Sequence, residues 1–172
     1  VWMLFLLSVF TCLQVKAQYM PVVFDKVYGD KNQIQLVCPL PGDEIAIVGK
    51  EGQKYNLTWI EREGNVVFSL SLMGFTVVNE IVELDNNRVL VVGQSTMQYV
   101  KGKKGKITLC GRVVVIERNG RIVTDIYAGD QGSNFLKGML LRSGSFVVSG
   151  SEPKGADGRQ GILLKLDPTG SV

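Results

Sequence analysis

A repeated sequence pattern constrains the fold of this chain more than any other feature. A largely apolar run that ends in glycine occurs three times, at Ile45–Gly49, Val89–Gly93 and Phe146–Gly150. A second motif follows each copy, as Ile60–Val66, Ile116–Ile122 and Leu166–Val172. Self-similarity of this kind predicts one supersecondary unit used repeatedly, in which neighbouring units bury each other's apolar faces.

Each unit is predicted to contain four short antiparallel strands. In the second unit these strands are placed at residues 77–84, 88–95, 107–117 and 121–128. Asn119-Gly120 separates two β-branched runs, and this dipeptide is typical of a two-residue type I′ hairpin turn, which needs positive φ at both positions. No segment has a sustained helical period. The sequence therefore predicts an all-β fold.

The strands of one unit differ in how apolar they are. The second strand is almost continuously apolar in Val89–Gly93, as expected when both of its faces are covered. The fourth strand, Arg121–Gly129, mixes polar and apolar residues, as expected of an outer, solvated strand. This gradient is typical of a β-propeller blade, whose inner strands lie between neighbouring blades. The prediction is a β-propeller of four-stranded antiparallel blades.

An N-terminal segment matches only the last strand of a unit. Val22–Gly29 resembles Ile122–Gly129, yet no three strands precede it. In a closed propeller such a strand completes the last blade. We therefore predict an incomplete propeller of about three blades, with further blades expected in the full-length protein. The predicted parts are an orphan outer strand at 18–30, blades at 31–74 and 75–131, and an incomplete blade at 132–172. The alternative is that the three units assemble with copies of themselves.

The third unit carries a resemblance to a known group of proteins. The segment AGDQGSNFLKGMLLRSGSFVVSGS, followed by GILLKLDPTGSV, resembles the repeat of secreted bacterial β-propeller proteins. Phe24–Gly29 is similar to the outer strand of that repeat, and the resemblance covers about residues 20–172. In the first two units Glu-Arg replaces the Leu-Asp pair of the repeat motif. The resemblance implies a propeller fold and export from the cell, but no shared reaction.

The first seventeen residues predict export independently. Residues 1–13 are an apolar run, and Val15-Lys16-Ala17 fits the signal-peptidase rule with cleavage between Ala17 and Gln18. The run is shorter than the roughly 20 apolar residues of a transmembrane helix. An uncleaved anchor is the alternative. We expect a secreted, periplasmic or outer-surface protein without a membrane span in the mature chain.

Composition excludes several kinds of chemistry. The chain has no histidine, which removes Ser-His-Asp and Cys-His nucleophiles and histidine metal ligands. A net charge of +3 is too small for a nucleic-acid binder. Cys38 lies in an apolar stretch and is expected to be a buried thiol, although a single bridge to Cys110 stays open. We expect no cofactor and no metal.

Carboxylates supply the one alternative in which the chain belongs to an enzyme. Glu61 and Glu117, or Asp43 with Glu44, are candidates for the paired acids of a glycosidase. Glu61 and Glu117 occupy equivalent repeat positions, so structural repetition is the better explanation. The alternative therefore takes the form of a propeller-class carbohydrate-active hydrolase or lyase whose catalytic residues lie mostly outside this segment. Trp59 is expected to pack between units.

Binding residues are expected in the loops between the second and third strands. These loops are placed at about 50–54, 95–106 and 151–160, and variable loops on a rigid scaffold commonly carry binding. The candidates are Tyr99, Lys101, Lys103, Lys104, Lys106, Glu152, Asp157 and Arg159. The lysines suit an anionic ligand such as an acidic glycan, although a solvated loop is the simpler interpretation. The predicted function is a non-enzymatic scaffold that binds a protein or glycan partner; a purely structural module of a larger surface protein is a further alternative.

Overall fold

The computed structural model describes residues 33–85, 87–99, 106–155 and 158–167, with the backbone alone at 97–99 and 106–108. These residues form three antiparallel sheets in which the strands follow chain order. The first sheet contains β1 (Gln33–Leu40), β2 (Glu44–Glu51), β3 (Lys54–Ile60) and β4 (Val66–Ser71). The second contains β5 (Phe75–Asp85), β6 (Arg88–Tyr99), β7 (Lys106–Glu117) and β8 (Ile122–Ala128). The third contains β9 (Asn134–Leu140), β10 (Phe146–Lys154) and β11 (Gly158–Leu166).

The prediction of an all-β fold with repeated four-stranded antiparallel sheets is confirmed, and each repeat unit of the sequence corresponds to one sheet. The described residues do not form a closed propeller. The orphan strand at 18–30 and the predicted leader with Ala17 and Gln18 lie outside the described residues.

The second sheet lies between the other two and is apolar on both faces. Val89 and Val91 of β6 belong to one core cluster, in which they pack with Trp59 of the first sheet. Leu90 and Val92, which point the other way, belong to a second cluster with Phe146 of the third sheet. All four β6 side chains are fully buried. Burying an aliphatic side chain contributes about 1.5–3 kcal/mol, so the continuous apolar run stabilises two interfaces at once.

The glycine that ends the repeat motif lies against the neighbouring inner strand in the second and third sheets. A Cβ atom on Gly93 would be 2.0 Å from the Val77 carbonyl oxygen, and one on Gly150 would be 2.1 Å from the Asn134 carbonyl oxygen. In both sheets the strand register shifts beside this glycine. The bulged inner strand therefore approaches so closely that only a residue without a side chain fits.

The predicted type I′ turn at Asn119-Gly120 is wrong. Gly120 has φ 84°, but Asn119 does not have positive φ, because Asp43 is the only such non-glycine residue in the described part of the chain. The Gly120 amide donates to the Glu117 carbonyl (2.8 Å), and the Glu117 amide donates to the Arg121 carbonyl (2.9 Å). This is the three-residue loop in which a type I turn precedes a left-handed glycine.

The same loop recurs in the other two sheets. The hydrogen-bond pattern repeats between Glu61 and Asn65, and again between Leu141 and Ser145. Gly64 has φ 79° and Gly144 has φ 80°, and these are the equivalent glycines. The turn is therefore a structural unit that the chain uses three times.

Candidate functional site

The stacked sheets present two faces that carry different kinds of connection. The face called here the loop face carries the tips of the β2–β3, β6–β7 and β10–β11 hairpins and the sheet-to-sheet connections 72–74 and 129–133. The opposite face, called the turn face, carries the tight turns at 41–43, 61–65, 118–121 and 141–145, together with Asn87 between β5 and β6.

The hairpins of the loop face extend to different heights. β2 ends at Glu51, two residues beyond Gly49, whereas β6 extends to Tyr99, six residues beyond Gly93. At about 3.3 Å per residue, the hairpin of the second sheet reaches roughly 13 Å further than that of the first. The β6–β7 and β10–β11 connections are shorter than the loops predicted at 95–106 and 151–160. The reason is that strand pairing continues as far as Tyr99 with Lys106 and Lys154 with Gly158.

Most of the predicted binding residues are not located by the structure. Tyr99 and Lys106 pair through their backbones at the end of the β6–β7 hairpin, and their side chains are not described. Lys101, Lys103, Lys104 and Asp157 lie outside the described residues. Whether these side chains bind a partner stays a prediction.

Glu152 and Arg159 lie on strands rather than in a loop, and both contact the connection between the second and third sheets. The Glu152 carboxylate accepts from Gln160 (2.9 Å) and from the Asp130 amide (3.3 Å). The Arg159 guanidinium donates to the Gly132 carbonyl (3.1 Å) and to Ser151. Both side chains therefore fasten this connection to the β10–β11 hairpin.

A small cleft opens on the loop face between the first and second sheets. It has a volume of about 280 Å³ and is lined by Gln53, Lys54, Ser71, Leu72, Met73, Gly74 and Phe75. Met73 is 78% exposed, the largest exposure among the large apolar residues of the described chain. The cleft offers an apolar wall beside one lysine.

Arg112 is a buried guanidinium beneath this cleft that sequence reasoning missed. It forms two 2.8 Å hydrogen bonds with the Asp125 carboxylate and also donates to the Met73 carbonyl. Its guanidinium carbon lies 4.7 Å from the ring centre of Phe75 and 4.9 Å from that of Tyr127. Burial raises the pKa of the Tyr127 hydroxyl, and the nearby Arg112 charge opposes this shift. The one available signal is a lone arginine inside the apolar run CGRVVVI.

An ion pair between sheets lies on the turn face. Arg118 of the β7–β8 turn donates to Glu44 of β2 at 2.6 Å, and Trp59 Nε1 donates to the same carboxylate at 2.6 Å. The Arg118 hydrogen bond, aided by that of Trp59, holds the pKa of the Glu44 carboxyl below its usual range, although burial opposes the shift. Trp59 is fully buried, so the expectation that it packs between units is confirmed.

The carboxylates considered for a glycosidase have structural partners. Glu117 is paired with Arg121 (2.6 Å), and Glu61 accepts from Asn65 (2.5 Å) within the equivalent turn. Asp43 lies 3.6 Å from Arg62. These contacts fit the explanation by structural repetition.

The two cysteines of the described chain are free and buried. Desolvation raises the pKa of both thiols. Cys38 is thus the buried thiol expected from its apolar surroundings, and no bridge to Cys110 is present. Over the residues that the structure describes, no cluster of three or more His, Cys, Asp or Glu side chains suits a metal ion.

Comparison with known proteins does not place the chain in a family: no protein-family model matches it, and a search of curated proteins gives no match. Within the described ranges there is also no helix long and apolar enough to cross a membrane.

Proposed function

We propose that this chain is part of a secreted or cell-surface β-propeller scaffold, without enzymatic activity, that binds a protein or glycan partner through its loop face. The observation that carries the proposal is the graded reach of the three hairpins on one stack of sheets. Rigid stacked sheets with hairpins of unequal length form a stepped surface on which the hairpin of the second sheet projects furthest, and connections of varied length on a rigid scaffold commonly carry binding.

Fixed anchoring of the loop face supports this proposal. Arg112 ties the connection at Met73 to the second sheet, and Arg159 ties the connection at Gly132 to the third. Connections that are already ordered lose little conformational entropy when a partner binds. The loop face is therefore suited to recognition by a preformed surface.

The sequence suggests an anionic glycan as the partner. Lys101, Lys103, Lys104 and Lys106 fall in or next to the connection between the two longest strands of this face. Lysine ammonium groups are mobile point charges, which suit the dispersed carboxylates or sulfates of a polymer. The carbohydrate-active enzyme and the purely structural module stay alternatives.

Affinity electrophoresis through gels that contain polygalacturonate tests the proposal. Replacing Lys101, Lys103, Lys104 and Lys106 together by alanine should abolish most of the retardation seen with the parent chain, and added salt should do the same. A control of equal charge change replaces Arg62, Arg121, Arg142 and Lys165, none of which lies on the loop face, and should keep the retardation. Equal loss in both variants, or no retardation of the parent chain, would reject the proposal.

A further inference from the structure

The turn face contains a polar cleft that the loop-face proposal does not use. Two adjoining concavities, of about 490 and 510 Å³, share Asn87 and Glu117. Their other lining residues are Val67, Asp85, Arg88, Arg118 and Asn119. The cleft thus runs between the two turns of the second sheet and reaches β4 of the first sheet. Each concavity has the volume of a small-molecule site, but both are open to solvent rather than enclosed.

The charges that line this cleft balance. Two carboxylates, on Asp85 and Glu117, face two guanidinium groups, on Arg88 and Arg118. Arg88 and Glu117 are direct neighbours across β6 and β7. Val67 is the one aliphatic residue of the lining, so the cleft offers little surface to an apolar ligand. A neutral ligand rich in hydrogen-bonding groups fits this lining better than a charged or an apolar one.

The polar groups are held in place without being buried. Asp85 accepts from Arg88 (2.6 Å) and from the Asn87 amide (3.0 Å), and Arg118 is held by Glu44. Glu117 accepts from Arg121 and from Asn119 (3.2 Å). The Arg88, Arg118 and Glu117 side chains nevertheless stay 30%, 39% and 22% exposed. A ligand therefore meets preorganised donors and acceptors, which lowers the entropic cost of binding.

We propose that this turn-face cleft is a second binding site, whose ligand class is a neutral saccharide. Carboxylates, guanidinium groups and side-chain amides are planar and present paired acceptors or donors, and neighbouring hydroxyls of a sugar ring offer the matching pair. Glu117 Oε2 and Asp85 Oδ2 each already contact two donors, whereas Glu117 Oε1 accepts from Arg121 Nη2 and Asp85 Oδ1 from the Asn87 backbone N–H. A carboxylate oxygen has two lone pairs, so Oε1 and Oδ1 are the atoms that would accept a ligand hydroxyl.

Trp59 supplies a readout for this site. Its indole N–H donates to Glu44, which in turn accepts from Arg118 at the cleft wall. The other tryptophan, Trp2, lies in the predicted leader. Ligand contacts that shift Arg118 change the polarity around the Trp59 indole, so its emission should respond to saccharide at the turn face.

Calorimetric titration of the chain with cellohexaose, xylohexaose and maltohexaose, together with Trp59 emission, tests the inference. At least one of these probes should bind and change the emission. Asn87→Ala and Glu117→Gln should each weaken binding roughly tenfold or more, since each removes hydrogen bonds to the ligand. Asn87→Ala keeps the backbone contacts of the turn, so it serves as the variant least able to disturb folding.

Glu61→Gln is the matched control. Glu61 occupies the equivalent turn of the first sheet but does not line the cleft. It should leave saccharide binding unchanged, as should alanine at Lys101, Lys103, Lys104 and Lys106. Absence of binding by all three oligosaccharides, or equal weakening by Glu61→Gln, overturns the turn-face site. Loss of binding on the lysine substitutions instead would place the saccharide on the loop face.

Discussion

At the scale of single residues, two arginines connect parts of the chain that are distant in sequence. Arg112 of β7 donates to the Met73 carbonyl in the connection between the first and second sheets. Arg118 joins the second sheet to Glu44 of the first. Arg112 is buried, whereas Arg118 is partly exposed. Arg112 also donates to the Met73 carbonyl and lies close to the rings of Phe75 and Tyr127, so its loss should cost more than that of an exposed ion pair.

Arg112→Met should destabilise the fold by about 1–3 kcal/mol, chiefly because it leaves the Met73 carbonyl without its donor; Asp125, which loses its bidentate partner, is 36% exposed and keeps contact with water. Urea denaturation followed by tryptophan emission measures this loss. Arg121→Met removes an arginine that is 68% exposed and should cost much less. Similar costs for the two variants would show that Arg112 is not a structural anchor.

Glu44 should make stability depend on pH in the acid range. The hydrogen bond from Arg118 lowers the pKa of the folded carboxyl below its ordinary value of 4.5. A carboxyl with a lower pKa in the folded state stabilises the protein above its unfolded pKa, and this contribution is lost as the pH falls through the folded pKa. The advantage of the parent chain over Glu44→Gln in unfolding free energy should therefore be constant near neutrality and shrink below about pH 4.5.

Denaturant titrations at a series of pH values check this expectation. The same comparison is made between Arg118→Met and the double variant Arg118→Met/Glu44→Gln. Their difference in unfolding free energy should depend little on pH, because the hydrogen bond that chiefly lowers the Glu44 pKa is gone. A pH dependence that persists in that background would assign the effect to another group.

At the scale of strands and turns, the repeat pattern identified the elements well. Val89–Val92 forms a continuous apolar run because successive side chains of β6 are buried alternately against the first and the third sheet. The predicted strands of the second unit lie within a few residues of the observed ones. The turn at Asn119 was predicted wrongly, because dipeptide preference does not register the additional loop residue. The contacts of Arg112 with Met73 and Asp125, and the set of residues that lines the turn-face cleft, could not be predicted, since both depend on residues far apart in sequence.

The repeat glycine provides a prediction at this scale. Gly150→Ala places a Cβ atom 2.1 Å from the Asn134 carbonyl oxygen and should destabilise the chain by roughly 2–3 kcal/mol. Gly161, on β11, has open space around its Cβ position and no positive φ, so Gly161→Ala should be nearly neutral. Thermal unfolding of the two variants decides this; equal melting temperatures would mean that the inner strand moves away without cost.

At the scale of the whole molecule, the outer side of the third sheet differs from the two buried interfaces. Met139 and Leu163 are 58% and 71% exposed there, although the equivalent positions of the second sheet, Val82 and Val113, pack in the core between sheets. Exposed apolar sheet surface of this kind promotes association. The described chain therefore presents a surface that is built like an interface.

Leu163→Lys should accordingly reduce self-association of the chain without lowering its stability. Sedimentation velocity at several concentrations measures the association, and denaturant unfolding measures the stability. Val113→Lys, the same change at the equivalent but fully buried position, should instead abolish folding, because it leaves an ammonium group without water or a partner. Unchanged association of Leu163→Lys would exclude this side of the third sheet as the contact surface.

The separation of the core into two clusters has a consequence for how substitutions combine. The buried residues on one side of the second sheet and those on the other share no member. Free-energy changes from substitutions at independent sites add. Trp59 of the first sheet and Phe146 of the third lie on opposite sides of the second sheet, so the change in unfolding free energy on substituting both should equal the sum of the two single changes. The two boundaries between sheets can therefore be altered one at a time by substitution.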